Sequence, residues 1–333
     1  MEESAPLRIL LVTDAWEPQV NGVVRTLSRT VEECRAMGHE VEVIHPGLGF
    51  KTFPLPTYPE IKMAVGARKD LEARFKAFEP EAIHIATEGS LGQAARAICL
   101  KWKLPFTTSY HTKFPEYVNA RLPFIPISAG YWFMRRFHNS GNRLMVATPS
   151  MRDMLTERGF NNITPWARGV DTELFHPDKR HMGGESVYEG LQGPIFVYIG
   201  RVAVEKNIES FLDLDLPGTK VIVGPGPQLE ELKKKYPEGL VILKSMATGT
   251  PVAAYVANGP KDIIPGSKAG SVNDDLKTAC LEALEMKRED CRAYAEKYSW
   301  RSCAEEFVQN LKPQPRPERR RFWRRLRRLG RRG

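Results

Sequence analysis

Two basic residues five positions apart, Arg201 and Lys206, follow the apolar run Ile195–Ile199 in the segment Gly200-Arg201 to Glu205-Lys206-Asn207. Two fixed cations at the mouth of a parallel sheet can neutralise a departing diphosphate. Ordinary surface charge after a strand is the plain alternative. Gly22 is a second candidate, in the loop from Thr13 to Val24. Such a glycine lets an anion approach the backbone, and the helix start beyond it supplies free N–H groups and a positive dipole end. A tight strand-to-helix turn accounts for the same residues, and no GxGxxG pattern is present there. Gly224 and Gly226 stiffen the turn Val223-Gly224-Pro225-Gly226-Pro227, at another strand end where open α/β folds bind ligands. His111 follows the strand Phe106–Ser109, a position suited to an acid–base group or to a purely structural hydrogen bond. Glu116 lies close by.

The elements that position these residues alternate. Arg8–Thr13, Glu40–Ile44, Ala82–Ile85, Phe106–Ser109 and Leu144–Ala147 read as strands. Val23–Met37, Lys69–Phe78, Gly92–Lys103 and Ile127–His138 read as helices between them, and Ser150 to Asp153 as a capping box opening another. Gly38 falls where a C-cap glycine belongs. This order predicts a parallel sheet covered on both faces. Gly169–Gly193 is rich in glycine and lacks periodicity. A second alternation follows: strands at Ile195–Ile199, Val221–Val223 and Val252–Val256, and helices at Ile208–Leu214, Leu229–Lys235, Leu240–Ala247, Lys277–Tyr298 (broken near Arg288) and Ser302–Leu311. The predicted domains are 1–168 and 194–311, joined by a linker at 169–193, with a tail at 312–333.

Length and composition agree. The 333 residues favour two domains at ~100–200 residues each. With 42% hydrophobic and 27% charged residues, a disordered chain, a collagen-like chain and a small disulfide scaffold are excluded. No apolar run approaches the ~18 residues of a membrane span. Cys34, Cys99, Cys280, Cys291 and Cys303 are odd in number and lack CxxC spacing, which fits reduced thiols rather than a zinc site. The acidic start Met1-Glu2-Glu3-Ser4 is unlike a secretory signal, so the chain is expected to begin in the cytoplasm. The net charge of +9 is concentrated at one end: ten arginines and one lysine against one glutamate lie between Lys312 and Gly333. The other 311 residues carry 38 Lys+Arg against 39 Asp+Glu. A nucleic-acid-binding core is thereby disfavoured.

In combination and order, Asn21-Gly22-Val23, Ser109-Tyr110-His111-Thr112, Trp166-Ala167-Arg168-Gly169-Val170-Asp171 and the Gly200 to Asn207 run resemble motifs of glycosyltransferase family 4, retaining enzymes of GT-B architecture. The likeness spans roughly residues 8–311. The N-terminal half is most similar to bacterial α-glycosyltransferases that build glycolipids, mannosyltransferases among them. The resemblance implies an α/β fold of two Rossmann-like domains facing across a cleft, the N-terminal one taking the acceptor and the C-terminal one a nucleotide-diphosphate sugar. It implies that Gly22, Arg201 and Lys206 contact the donor diphosphate, with Gly224 and Gly226 in the donor-site loop. His111 would contact the transferred sugar near the reacting carbon, and Glu116 is a candidate acceptor contact. Retention would follow from a same-face displacement assisted by the leaving phosphate. No metal or other cofactor is expected, because the two cations supply the electrostatic stabilisation. Trp166 and Trp132 read as core or interface rather than sugar platforms.

The chain departs from the family in its second half. Tyr236-Pro237-Glu238 runs directly into Gly239, where family members carry two more strands and a helix. The carboxylates of the family's EX7E motif, one for the donor sugar and one for the ribose, align with Tyr236 and Lys244. Replacing a ribose-binding carboxylate by lysine removes the acceptor of two hydroxyl bonds, about 2–4 kcal/mol of donor binding. The missing strand normally stands beside Ile195–Ile199, which predicts either a gap filled by Val252–Val256 or a smaller sheet.

In the tail, Phe322, Trp323, Leu326 and Leu329 share one face of a helix otherwise covered by arginine. That pattern fits an interfacial helix on anionic lipid better than a solvated basic tail or a polyanion-binding segment. The expectation is a retaining hexosyltransferase, peripheral on the cytoplasmic membrane face, serving a lipid or glycan acceptor and no nucleic acid. The alternative is an impaired relative acting as a membrane-associated binding protein.

Overall fold

The computed structural model describes residues 5–19, 21–55, 58–121, 124–178, 190–200, 202–236, 250–257 and 260–329. The chain divides into two compact units, Met1–Gly169 with Trp300–Gly333, and Val170–Ser299.

In the first unit β1 (Arg8–Val12), α1 (Gly22–Ala36) and β2 (Glu40–Ile44) open the alternation. The hairpin β3 (Thr52–Leu55) and β4 (Tyr58–Ala64) follows, then α2 (Arg68–Phe78), β5 (Ala82–Ile85), α3 (Ser90–Trp102) and β6 (Thr107–Ser109). Two helices, α4 (Phe114–Arg121) and α5 (Ile127–His138), precede β7 (Arg143–Val146), α6 (Pro149–Glu157) and β8 (Ile163–Pro165). Six strands form one parallel sheet in the order β2-β1-β5-β6-β7-β8. The order reverses between β1 and β5, which places the switch point of the sheet beside the carboxyl end of β1.

β1 shows how the sequence builds the two layers. Strand side chains alternate in direction. Ile9 and Leu11 enter a core with Leu27, Val31, Trp166 and Phe307, while Leu10 and Val12 enter another with Leu71, Phe75, Ile98 and Trp323. These four side chains of β1 are fully buried. Helix α1 starts at Asn21, whose Oδ1 accepts from the amides of Val23 and Val24, and it ends before Gly38, whose φ is +86°. The capping box predicted at Ser150 is displaced: Thr148 caps α6 by accepting from Met151 N, and Pro149 fills the first turn, where its missing N–H costs nothing.

The second unit contains β9 (Ile195–Ile199), α7 (Glu209–Leu212), β10 (Thr219–Val223), α8 (Leu229–Lys235), β11 (Val252–Ala254), α9 (Pro260–Ile263), β12 (Gly270–Val272), α10 (Leu276–Leu284) and α11 (Arg288–Glu296). The predicted break near Arg288 is the gap between α10 and α11. The helix read at Leu240–Ala247 lies outside the described residues. Among the described residues β9 pairs with β10 and β11 with β12, each in parallel, and β11 does not join β9. Among the described residues, Val252–Val256 therefore does not fill a place beside β9.

The chain then returns to the first unit in α12 (Trp300–Asn310) and α13 (Arg316–Leu329). The predicted boundary at residue 311 therefore shifts to residue 300. Trp300, Cys303 and Phe307 of α12 complete the core over α1, and Trp166 Nε1 donates to the Cys303 carbonyl. All five cysteines are free and buried.

Helix α13 corrects the reading of the tail. The sequence places Phe322, Trp323 and Leu326 on a lipid-facing stripe; the structure docks them on the fold. Trp323 is 1% exposed and meets Trp102 edge-on at 6.2 Å, with Phe322 and Leu326 packed at its sides. Arg319 pairs with the buried carboxylate of Glu81 at 2.8 Å, and the Glu81 carbonyl accepts from Gln314 N. The stripe that suits a membrane suits equally the apolar ground left open between α2 and α3. The Leu329 side chain lies outside the described residues.

Candidate functional site

The carboxyl edge of the parallel sheet gathers the chemistry-bearing residues of the first unit. β1 ends in Thr13 and Asp14, β5 in Ala86 and Thr87, β6 in Tyr110 and His111, and β8 in Trp166, Ala167 and Arg168.

Asp14, at the switch point, is 3% exposed. Its carboxylate accepts from Thr87 Oγ1, Ser90 Oγ and the backbone amides of Leu91 and Gly92. It thereby fills the N-terminus of α3, the place where an anionic ligand would otherwise find free amides. Burial pushes its acidity constant up, against the opposing pull of these donors. Gly22 is the first residue of α1, and a side chain there would meet nothing within 4 Å, so space for a ligand exists. Two amides of that helix start, those of Val23 and Val24, are already held by Asn21.

His111 and Arg168 meet. One guanidinium nitrogen of Arg168, Nη2, donates to His111 Nδ1 at 2.8 Å, across 57 residues of sequence. Arginine offers donors only, so Nδ1 is the acceptor and the ring proton sits on Nε2. Nε2–H then donates to Ser109 Oγ at 2.8 Å. Ser109 Oγ is also 3.1 Å from His84 Nε2, and His84 Nδ1 is 2.9 Å from Thr107 Oγ1. The result is a hydrogen-bonded row from Arg168 through His111, Ser109 and His84 to Thr107. Burial, and then the Arg168 charge, hold His111 well below the ordinary imidazole range. Burial holds His84 down to about 3. Both imidazoles are neutral at physiological pH.

This arrangement limits what the His111 ring can do. Both of its nitrogens are engaged inside the protein, so a sugar contact requires one of the two bonds to be exchanged. Arg168 presents the complementary feature. Its Nη1 is buried and has no hydrogen-bond partner among the described residues, and its guanidinium stands 5.3 Å from the centre of the Trp166 ring. A cation held by a neutral histidine and an aromatic ring keeps its full charge for an anion. The sequence reading passed over Arg168, Asp14 and His84; Arg168 at least stood inside a quoted motif.

Glu116, on α4, accepts a 2.5 Å bond from Tyr131 of α5 through Oε1, while Oε2 is buried without a partner among the described residues. It ties α4 to α5 and retains one free acceptor. Trp166 is core, as read; Trp132 is 57% exposed and is not.

In the second unit Gly224 and Gly226 serve backbone packing. Gly224 has φ +138°, and a Cβ there would stand 2.0 Å from the Gly200 carbonyl oxygen; at Gly226 it would stand 1.9 Å from that of Val202. The two strand-end loops clasp through Gly200 N to Val223 O and Val202 N to Pro225 O. Only glycine permits that approach. Lys206 ends the short 3₁₀ turn Val204–Lys206, with its side chain exposed. Arg201 and Lys244 lie outside the described residues. Tyr236 donates to Asp213 at 2.5 Å. Among the described residues no three His, Cys, Asp or Glu side chains cluster as metal ligands, and no helix is long and apolar enough to cross a membrane.

Residues 20–174 match the family described as Glycosyltransferase Family 4. The chain is 27% identical to a GDP-mannose-dependent alpha-mannosyltransferase of Corynebacterium glutamicum, over 88% of this chain and 83% of that one. It is 25% identical to an alpha-monoglucosyldiacylglycerol synthase of Streptococcus pneumoniae, over 84% of this chain and 78% of that one. Among solved structures it resembles sucrose-phosphate synthase from Thermosynechococcus elongatus, with TM-score 0.67 and 15% identity, covering 90% of this chain and 97% of that one. At that identity the likeness bears on the fold, which is GT-B.

Proposed function

We propose that this chain, whose residues 20–174 match glycosyltransferase family 4, moves a hexose of mannose or glucose type from a nucleotide-diphosphate sugar to a lipid acceptor at the cytoplasmic face of a membrane. The observation that carries this reading is the His111–Arg168 contact. Two of the segments that resemble the family meet at the carboxyl ends of β6 and β8, the strands on either side of β7, where this class of fold binds its ligands. The relatives supply the substrate class, since their names specify GDP-mannose and a glucosylated diacylglycerol.

In this proposal the donor diphosphate lies against Lys206 and Arg201, whose charges stabilise it as it departs without a metal ion. Gly22 leaves room for an anionic group at the start of α1. In the first unit, Arg168 supplies a cation for an anionic group of donor or acceptor. The row ending in Thr107 fixes His111 as a rigid neutral wall beside the transferred sugar. Configuration is retained through a same-face displacement in which the leaving phosphate receives the acceptor proton.

A second reading, a non-catalytic member of the family, rests on one observation. Tyr236 stands where the family places a donor-sugar carboxylate, and its hydroxyl is committed to Asp213. Calorimetric titration with GDP, UDP and their hexose conjugates separates the two. Micromolar binding of one nucleotide, lost in Arg201→Ala and in Lys206→Ala, supports the transferase. A folded protein that binds none of these ligands overturns it.

A further inference from the structure

Helix α5 is apolar on both sides. Its inner face, Tyr131, Met134 and Phe137, is buried in the first unit. A surface helix normally turns charged residues outward. α5 instead exposes Trp132 by 57%, Phe133 by 39% and Ile127 by 41%, and the turn before it exposes Phe124 by 78%. Phe114, at the start of α4, is 41% exposed. α4 and α5 form one helical hairpin: Glu116 bonds Tyr131, and a side chain at Gly130 would stand 2.8 Å from Pro115 Cβ. The five apolar side chains are thus carried by a single rigid piece of the fold.

The charge around them is one-sided. Arg135 and Arg136 close the last turn of α5, and Arg96 approaches Arg136, donating to its carbonyl oxygen. Arg158 lies over the ring of Tyr131, 4.6 Å from its centre. None of these four arginines has a carboxylate partner among the described residues. Exposed aromatics beside unpaired arginines suit the boundary of an anionic bilayer, where the rings enter the headgroup layer and the cations stay with the phosphates. The stripe of α13 is spent on the core, whereas the aromatic face of the hairpin is exposed among the described residues.

We infer that the α4–α5 hairpin is the membrane-docking surface of this protein, and that its partner is a bilayer containing anionic lipid. The inference rests on the proposed lipid acceptor only for its purpose. Vesicle binding is measured without donor or acceptor, so failure of one reading is distinguishable from failure of the other.

The test is flotation of the full chain with vesicles of phosphatidylcholine containing phosphatidylglycerol, against phosphatidylcholine alone. The wild type is expected to float with the anionic vesicles. Trp132→Ser/Phe133→Ser is expected to bind about tenfold more weakly while keeping its circular dichroism and melting temperature, because both rings are exposed. Arg135→Gln/Arg136→Gln is expected to lose binding in the same vesicles. Arg324→Gln/Arg325→Gln, on the exposed side of α13, is expected to stay within about twofold of wild type. Loss of binding through the α13 charges alone, with the hairpin variant intact, overturns the inference. So does a wild type that ignores anionic vesicles, or one that self-associates in lipid-free buffer and is dispersed by Trp132→Ser/Phe133→Ser.

Discussion

The guanidinium of Arg168 donates to Nδ1 of His111 at 2.8 Å, and this bond fixes which nitrogen of the imidazole carries the proton. Arg168→Met frees Nδ1 and removes the nearest positive charge, so the His111 constant rises. Nitrogen-15 spectra of the histidine rings should show a neutral Nε2–H form of His111 in the wild type that persists as the pH falls toward 5. The same ring should titrate at higher pH in Arg168→Met. A wild-type His111 already charged at pH 6 would contradict the assignment.

His84 gives a pH dependence with a definite sign. Its folded-state constant is about 3, against ~6.5 for a free imidazole. The unfolded chain takes up a proton that the folded chain excludes. The stability at stake is fully present above pH ~6.5 and is lost as the pH falls from there toward 3, approaching about 1.4 kcal/mol per pH unit. Urea unfolding at a series of pH values from 7 to 4 should therefore show a shallower decline for His84→Gln than for wild type. Parallel declines would mean that His84 accepts its proton inside the fold.

Asp14 satisfies two backbone amides and two hydroxyls at the start of α3. Asp14→Ala leaves the amides of Leu91 and Gly92 buried and unpaired, a loss of about 2–4 kcal/mol in unfolding free energy. A variant within 0.5 kcal/mol of wild type, about the scatter of ordinary surface substitutions, would show that water replaces the carboxylate.

The docking of α13 is tested at Trp323. Trp323→Ala removes a ring that is 1% exposed, at a cost of about 3–5 kcal/mol less the relief of an indole N–H that has no partner among the described residues. Trp323→Phe keeps an aromatic ring and deletes the unpaired donor, so it should cost far less. Faster trypsin cleavage in the arginine-rich helix is expected for the alanine variant alone. Equal cleavage of all three proteins would show that α13 does not depend on Trp323 for its docking.

Gly226→Ala would place a methyl group 1.9 Å from the Val202 carbonyl oxygen. The loop clasp of the second unit must open to admit it, which is expected to cost about 2 kcal/mol or more. Thermal unfolding followed in the second unit should reveal the loss, together with weaker donor binding. An unchanged midpoint would show that the clasp has slack.

Much of this protein was legible in its sequence because the informative patterns are local. The period-2 and helical patterns gave β1, α1 and β5 to within a residue or two, since burial on one face or two is written in the spacing of apolar side chains. The family resemblance reached the segments around Gly22, His111 and Trp166 to Asp171. Sequence could not decide which partner an amphipathic face takes. Phe322, Trp323 and Leu326 have the pattern of a lipid-facing stripe, and the hydrophobic effect rewards removal from water whether the cover is lipid or α2 and α3. Trp132 and Phe133 belong to a helix read as amphipathic, yet both stay exposed among the described residues. Nor could spacing show that Arg168 would reach His111, because a hydrogen bond across 57 residues depends on the order of strands in the sheet. Local periodicity specified the elements; the long-range contacts that assign each surface and each proton exist only once those elements have packed.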